Sequence, residues 1–193
     1  MFNQRVRVQL GVRASGNFFT GSSSFVTAPA SLRRGQESLP SLFASLKEQN
    51  LDTLTVTSAS IGSINLYAGI QAVVYKKLYA GFNLDFAGVG FGHAANATFA
   101  SNGVAQTNQP LTVAHGNILL IGDSDIGQLN SSFYLGYQAK PNVAFQLGFN
   151  HLFSEVRTSA TEQAVGNVTN RRFRNISNAI TAGVAITFGS PQE

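Results

Sequence analysis

The chain has no cysteine and no tryptophan, and only 11% of its 193 residues are charged. Without cysteine there is neither a disulfide framework nor a thiolate metal site. Soluble domains usually carry about a quarter charged residues, so the shortage favours a chain whose outer surface meets lipid. Apolar runs are short as well, and none approaches the roughly 18 residues that a membrane helix needs.

Six stretches of the chain instead alternate apolar and polar residues over about eleven positions each. The first places Val8, Leu10 and Val12 on one face and Arg7 and Arg13 on the other. A period of 2 is that of a β-strand with two unlike faces. A tilted strand of roughly 9–11 residues is long enough to cross a bilayer. The other five stretches lie at 63–75, 78–86, 129–138, 143–153 and 176–188.

The connections between these segments are alternately short and long. Lys76-Lys77 and Lys140-Pro141-Asn142 predict tight turns, whereas the connections 15–53, 90–127 and 155–175 are long. This asymmetry is typical of outer-membrane barrels, which have short periplasmic turns and long outer loops. The sequence therefore predicts an all-β fold, a single antiparallel up-and-down transmembrane β-barrel, with long extracellular loops.

Six strands fall short of the eight or more that bacterial barrels usually have, in even numbers. We therefore expect eight, with an extra pair inside 93–121 that turns near Asn108-Gln109-Pro110; Ser22–Ala28 is a less regular candidate strand. One barrel domain then spans residues 1–193.

A short helix is expected in the first long connection. Ser38 would cap it and Pro40 suits its first turn. Leu42, Phe43 and Leu46 would then share one side of the helix. A helix that packs against its own loop is favoured over a plug or a partner-binding helix.

The polar faces of the strands would line the barrel interior. Arg5, Arg7 and Arg13 share that face, and Asp85 is the carboxylate predicted there. Because a buried arginine requires a partner, an arginine–Asp85 contact is the first expected interaction. Amide and phenol side chains complete the predicted lumen network: Asn83, Tyr67, Tyr79 and Tyr134. A structural ladder is favoured over a positive pore or anion site, since eight-stranded interiors are packed.

Just beyond the apolar part of the last hairpin, charged residues occupy the alternate positions that would face outward. They are Glu155, Arg157, Arg172 and Arg174. At that height they would meet lipid head groups, and arginine binds phosphate through two hydrogen bonds. A cross-strand salt bridge between Glu155 and one of the arginines explains the same residues equally well. Both interpretations stay open.

Residue types used in catalysis are present but poorly arranged. His151 and Ser154 are two types found in hydrolase triads, yet their parity points them to opposite faces of a strand. His93 and His115 lack metal-binding spacing. Asp123-Ser-Asp125 lacks the distal glutamate of a calcium loop. We therefore predict no enzymatic activity, no cofactor and no metal.

Three segments resemble the small outer-membrane β-barrel proteins of Bacteroidetes-type bacteria, with the architecture of OmpA/OmpX-like barrels: 78–92, 117–133 and 171–177. The resemblance extends over most of the chain from residue 64 onward. It implies the outer membrane of a Gram-negative bacterium, with membrane lipids including lipopolysaccharide as partners. It supplies no catalytic residues. Phe188 is an aromatic strand end of the kind that assembly machinery reads, although 189–193 follow it.

Nucleic-acid binding is disfavoured, because the 13 basic residues are scattered and no helix is predicted that could enter a groove. Residues 2–13 alternate and carry three arginines, unlike a signal peptide. Since an outer-membrane protein is secreted, we expect this chain to be a mature form.

The leading functional hypothesis is a structural, adhesive or complex-forming barrel whose outer loops carry specificity. Such loops would also suit docking to a larger outer-membrane complex. The alternative is a narrow channel or a path for hydrophobic solutes, which needs an open lumen or a lateral gap between strands. A lipid-modifying enzyme using His151 and Ser154 is less favoured. So is a soluble lipocalin-like carrier, which would place apolar residues inside.

Overall fold

The computed structural model describes residues 6–37, 39–101, 104–120, 124–160 and 162–188, and the side chain of Leu42 lies outside this description. Within these ranges the protein is all-β, with twelve antiparallel strands in up-and-down order. Six strands are long: β1 (Val6–Thr27), β2 (Thr53–Tyr75), β3 (Leu78–Ala94), β8 (Leu129–Lys140), β9 (Val143–Thr158) and β12 (Arg172–Ile186). Each contains one of the six alternating segments, so that part of the prediction is confirmed.

The remaining strands have three to six residues: β4 (Ala97–Ser101), β5 (Val104–Gln109), β6 (Leu111–Val113), β7 (Gly116–Ile118), β10 (Gln163–Val165) and β11 (Val168–Asn170). The prediction of eight strands is therefore wrong. The expected extra pair in 93–121 is four short strands, of which β4 pairs with β2 and β5, β6 with β9, and β7 with β3. Residues 22–27 continue β1 and do not form a strand of their own.

Both predicted tight turns are present. Lys76 and Lys77 join β2 to β3, and Lys76 adopts a positive φ of 45°. Pro141 and Asn142 join β8 to β9. These two turns lie at the same ends of the long strands, which we call the turn end. The opposite ends of the strands are the loop end.

The first long connection differs from the single helix that was predicted. It contains a short helix, α1 (Ala30–Arg34), and 3-10 turns at Leu39–Leu42 and Glu48–Asn50. Lys47 N donates to Arg33 O at 2.7 Å, which turns the segment back on α1 before a longer helix can form. Ser38, the predicted cap, lies outside the described residues. Among the described residues, no helix has both the length and the apolar character needed to span a membrane.

The six long strands form a curved wall. Pairing runs from β1 through β2, β3, β8 and β9 to β12, each strand antiparallel to the next. At the loop end β12 returns to β1 through two residue pairs, Val26–Arg174 and Thr27–Phe173. Toward the turn end, 6–23 of β1 pair only with β2 and 176–186 of β12 only with β9, within the described residues. We call this unpaired boundary the seam, and the space inside the wall the lumen.

The wall has opposite polarity at its two ends. Toward the turn end the outward side chains are apolar and exposed, as in Leu10 at 77% and Ile180 at 82%. We call these side chains the apolar belt: Val8, Leu10, Val12, Ile64, Leu66, Ile70, Phe133, Leu135, Phe145, Leu147, Phe149, Ile180, Val184 and Ile186. Toward the loop end, apolar residues such as Phe25, Leu54 and Phe173 are buried inside as a core. In water, the burial of apolar side chains in this core stabilises the loop end of the wall.

Two irregularities accompany this inversion. A bulge between Thr20 and Ser23, with Gly21 at φ 77°, shifts the register of β1 just before the core begins. A second bulge at Leu66/Tyr67 shifts β3 against β2. Bulges change which side chains face inward, so strict alternation read from the sequence cannot hold along the whole length of these strands.

Candidate functional site

Three lumen tyrosines lie flat against the wall because each faces a glycine on the neighbouring strand. The cross-strand pairs are Gly11–Tyr67, Tyr79–Gly136 and Gly81–Tyr134. A Cβ at Gly11 would lie 2.7 Å from the Tyr67 ring, so only glycine leaves room for this contact. The rings therefore cover backbone and do not cross the lumen. A cavity of about 450 Å³ remains between them.

The expected arginine–Asp85 contact is present, and Arg13 makes it. Arg13 Nη1 lies 2.9 Å from Asp85 Oδ1, and the guanidinium stacks 5.0 Å from the centre of the Tyr67 ring. Asp85 is 0% exposed. Its Oδ2 accepts hydrogen bonds from Asn65 Nδ2 at 2.9 Å and from Asn130 N at 3.1 Å. The buried carboxylate therefore accepts hydrogen bonds from one charged donor, Arg13, and from two neutral donors, Asn65 and Asn130.

The other predicted lumen residues are spread along the same face. Tyr134 Oη donates to Gln9 Oε1 at 3.1 Å, and Tyr79 Oη accepts from Gln146 Nε2 at 3.1 Å. Asn83 lines the cavity together with Tyr67 and Tyr134. Arg7 is exposed near the turn end, and Arg5 lies outside the described residues.

A segment from the second long connection continues the wall at the loop end, where β7 pairs with β3 and β6 pairs with β9, and its buried amides contact the lumen residue Asn65. Asn117 Nδ2 donates to Asn65 Oδ1 at 2.7 Å, and Asn65 Nδ2 donates to Gln128 O at 2.8 Å. Gln128 N in turn donates to Asn117 Oδ1 at 2.9 Å. Gly90 makes the approach possible, because a Cβ there would collide with Ala114 O. We call the described residues 113–120 and 124–128 the cap segment.

A buried glutamate fastens the cap segment to the wall. Glu155, at 0% exposed, receives two hydrogen bonds from Arg172: Nε to Oε1 and Nη2 to Oε2, each 2.8 Å. Gln128 Nε2 donates to Glu155 O at 3.1 Å, and Glu155 N donates to Gln128 Oε1 at 2.7 Å. Arg172 Nη2 and Arg174 Nη2 both donate to Asp125 O. A bidentate pair of this kind is strong and directional.

The arginines proposed for lipid head groups therefore differ in their surroundings. Arg172 is paired with Glu155, which matches the cross-strand salt-bridge interpretation. Arg174 is 1% exposed and stacks on Phe153 at 4.7 Å. The Arg157 side chain is about half exposed, with Nε 3.8 Å from Glu155 Oε1. Head-group contact stays a prediction, and Arg157 presents an accessible guanidinium for it.

His151 and Ser154 lie on opposite faces of β9. His151 Nδ1 is 2.8 Å from Asn178 Oδ1, while the buried Ser154 Oγ accepts from Asn17 Nδ2 at 3.2 Å. Among the described residues, no three histidine or carboxylate side chains are grouped so as to hold a metal ion. Asp123 lies outside them. The absence of enzymatic activity stays a prediction.

The sequence did not predict the network that joins Asn117, Gln128 and Asn65. Asn117 precedes an apolar Ile-Leu-Leu-Ile run that hides its role. The signal available was the pair of amides Asn117 and Gln128 on the two sides of residues 118–127, since buried amides are normally hydrogen-bonded. Comparison with protein-family models, curated proteins and solved structures found no match to this chain. Function must therefore follow from the geometry.

Proposed function

We propose that the chain is an integral outer-membrane β-barrel protein with a structural or complex-forming role. The observation that carries the proposal is the apolar belt, with the Arg13–Asp85 pair enclosed behind it. Soluble monomers rarely expose contiguous apolar patches beyond a few hundred Å². In hydrocarbon the same surface is favourable, and the charged pair stays away from lipid.

The loop end supports a position in water outside the membrane. Its core of Phe25, Leu54, Val56 and Phe173 is enclosed, as in a soluble domain. Phe43 is 89% exposed in the first long loop, beside exposed Leu39 and Leu46. Exposed apolar side chains on a loop favour a partner-binding role for it, and this supports the complex-forming hypothesis.

The alternatives fare differently against this geometry. A lipocalin-like carrier would place apolar residues inside along the whole wall, but the turn-end lumen is polar. A continuous channel is disfavoured because the cap segment and the apolar core fill the loop end. A path for hydrophobic solutes is favoured by one observation, namely that the cavity reaches the seam.

Tryptophan fluorescence tests the membrane placement, since the chain has no tryptophan of its own. Leu147 faces outward at 60% exposure, and its neighbour Gln146 faces the cavity. In vesicles containing phospholipids with brominated acyl chains, we expect strong quenching of Leu147→Trp and weak quenching of Gln146→Trp. Adjacent residues share the same depth, so the pair isolates the face.

The matched pair also shows how the proposal would fail. If Leu147→Trp is no more quenched than Gln146→Trp, or emits like an indole in water, the belt does not contact hydrocarbon. Far-UV circular dichroism of both variants in the same vesicles controls for folding.

A further inference from the structure

We propose that the lumen cavity binds the uncharged, hydroxyl-bearing head group of a single-chain amphiphile, which enters sideways from the membrane through the seam. The proposal rests on the membrane placement proposed above and adds a ligand class and an access route. Three features carry it: amide and hydroxyl side chains that line the cavity, a compensated charge, and unpaired strand edges at its side.

Much of the cavity lining is polar and uncharged. It includes two amide side chains, Asn83 and Asn150, and two hydroxyl side chains, Ser132 and Thr181. Polar groups removed from bulk water are normally paired with protein, water or a ligand. A volume of about 450 Å³ lies in the range of small-molecule sites. Amides and hydroxyls together match a ligand that both donates and accepts, as hydroxyl groups do.

The charge of the cavity selects against ionic head groups. Arg13 lines the cavity, but its charge is already compensated by the buried Asp85 at 2.9 Å. A phosphate or carboxylate would therefore bring an uncompensated negative charge into the lumen, which is unfavourable. A hydroxyl can accept from the Arg13 guanidinium without that penalty. The surrounding geometry thus favours glycerol or sugar hydroxyls over anions.

The route follows from the two strands at the side of the cavity. Its lining includes residues 12–14 of β1 and 181–183 of β12, and among the described residues these two strands pair only at Val26–Arg174 and Thr27–Phe173. Unpaired backbone at membrane depth is tolerated where it lines a water-filled cavity, and both strand edges contribute residues to the lining of this cavity. Val12 and Ile180 present apolar side chains outward at the two edges. An acyl chain can remain among them while its head group turns inward.

One acyl chain suits this route better than two. The cavity lies behind the apolar belt, so a bound head group leaves the membrane surface and its chain leaves part of the bilayer. Membrane binding strength scales with the number of buried methylene groups. A single-chain lipid therefore gives up less than a two-chain phospholipid when it moves into the seam.

The test measures binding of a radiolabelled monoacylglycerol to the full chain in nanodiscs. A Cβ at Gly183 has nothing within 4 Å, so Gly183→Phe adds a ring to the cavity without a backbone clash. We expect saturable binding by the wild type and a loss of about tenfold or more in affinity for Gly183→Phe. Leu135→Phe is the matched control, because Leu135 is 63% exposed on the lipid face of β8, away from the seam. It should bind like the wild type.

A second variant keeps the test decisive if Gly183→Phe does not fold. Thr181→Val keeps the side-chain shape and removes a hydroxyl that lines the cavity, and it should weaken binding severalfold. A labelled fatty acid and a labelled phospholipid should bind more weakly than the monoacylglycerol. Equal binding of either ligand overturns the assignment of ligand class.

Brominated-lipid quenching of Leu147→Trp in the same nanodiscs separates two kinds of failure. If the chain is inserted but retains no more monoacylglycerol than empty nanodiscs, this inference is wrong and the membrane placement stands. Unchanged affinity in both Gly183→Phe and Thr181→Val also overturns it. If the chain is not inserted at all, both proposals fail.

Discussion

At the scale of single residues, Asp85 is the centre of the polar interior. Its carboxylate contacts Arg13, Asn65 and the backbone of Asn130, and no part of it is exposed. Arg13 also donates to Asn130 O at 3.2 Å and stacks on Tyr67. Removing one member of a buried pair leaves the other without compensation, which is far worse than removing both.

Asp85→Ala should therefore lower the free energy of unfolding by about 3–5 kcal/mol, because Arg13 then keeps a charge without its partner. The double variant with Arg13→Met should recover part of that loss. Urea-induced unfolding in lipid vesicles, followed by the heat-modifiable mobility of the folded chain on gels, measures both.

A double-mutant cycle supplies the control, since Arg13→Met alone also leaves Asp85 unpaired. If Asp85→Ala unfolds at the urea concentration of the wild type, the pair contributes nothing to stability. If the double variant is less stable than the wild type by the sum of the two single-variant effects, Arg13 and Asp85 do not interact.

At the scale of elements, the regular alternation determined what could be predicted. The six long strands and the two tight turns follow from local periodicity and turn chemistry. The eight-strand prediction failed because β4–β7 carry no sustained period 2, and their pairing with β2, β3 and β9 depends on long-range contacts. The prediction of a single helix in the first long connection was wrong for a similar reason, since short helices depend on tertiary packing more than on propensity.

The site was only partly predictable for the same physical reason. Parity placed both Arg13 and Asp85 on the inner face, and this holds although Asp85 pairs with Tyr67 at the edge of a bulge. Glu155 has outward parity on β9, yet it is buried because the cap segment covers it. The sequence of β9 alone does not indicate that a segment distant in sequence will cover Glu155. Bulges such as the one at Leu66/Tyr67 then shift parity without a local signal.

Glu155→Gln should loosen the cap segment while leaving the belt strands intact. The amide keeps the shape of the side chain but removes the negative charge that pairs with Arg172 at 2.8 Å. Hydrogen–deuterium exchange should speed up by about tenfold or more in the cap segment, as local opening becomes easier. Exchange in β8 and in the turn-end part of β9 should not change.

Arg157→Gln is the matched control for that experiment. Arg157 approaches the same carboxylate only to 3.8 Å and is about half exposed, so its contribution should be below about 1 kcal/mol. Equal exchange in Glu155→Gln and the wild type would mean that the cap segment is held by its amide contacts and the apolar core alone.

At the scale of the whole molecule, the two ends of the wall suit two different solvents. The turn-end half places apolar side chains outward and a polar cavity inside, whereas the loop-end half encloses an apolar core beneath its connections. A water-soluble barrel would keep one polarity along its length. On the proposed membrane placement, the change partway along β1 and β2 marks the membrane surface, with the long connections on one side and the tight turns on the other.

This arrangement predicts the orientation, and the absence of cysteine allows a test without background labelling. Phe43 is exposed on a long connection, and Lys77 lies in a tight turn. In intact Gram-negative cells, a bulky impermeant maleimide should label Phe43→Cys and spare Lys77→Cys, because outer-membrane barrels place their long loops outside. Both variants should react after the outer membrane is disrupted, which controls for intrinsic reactivity. If only Lys77→Cys is labelled in intact cells, the orientation is the reverse of the predicted one. Equal labelling of both variants would exclude a transmembrane arrangement.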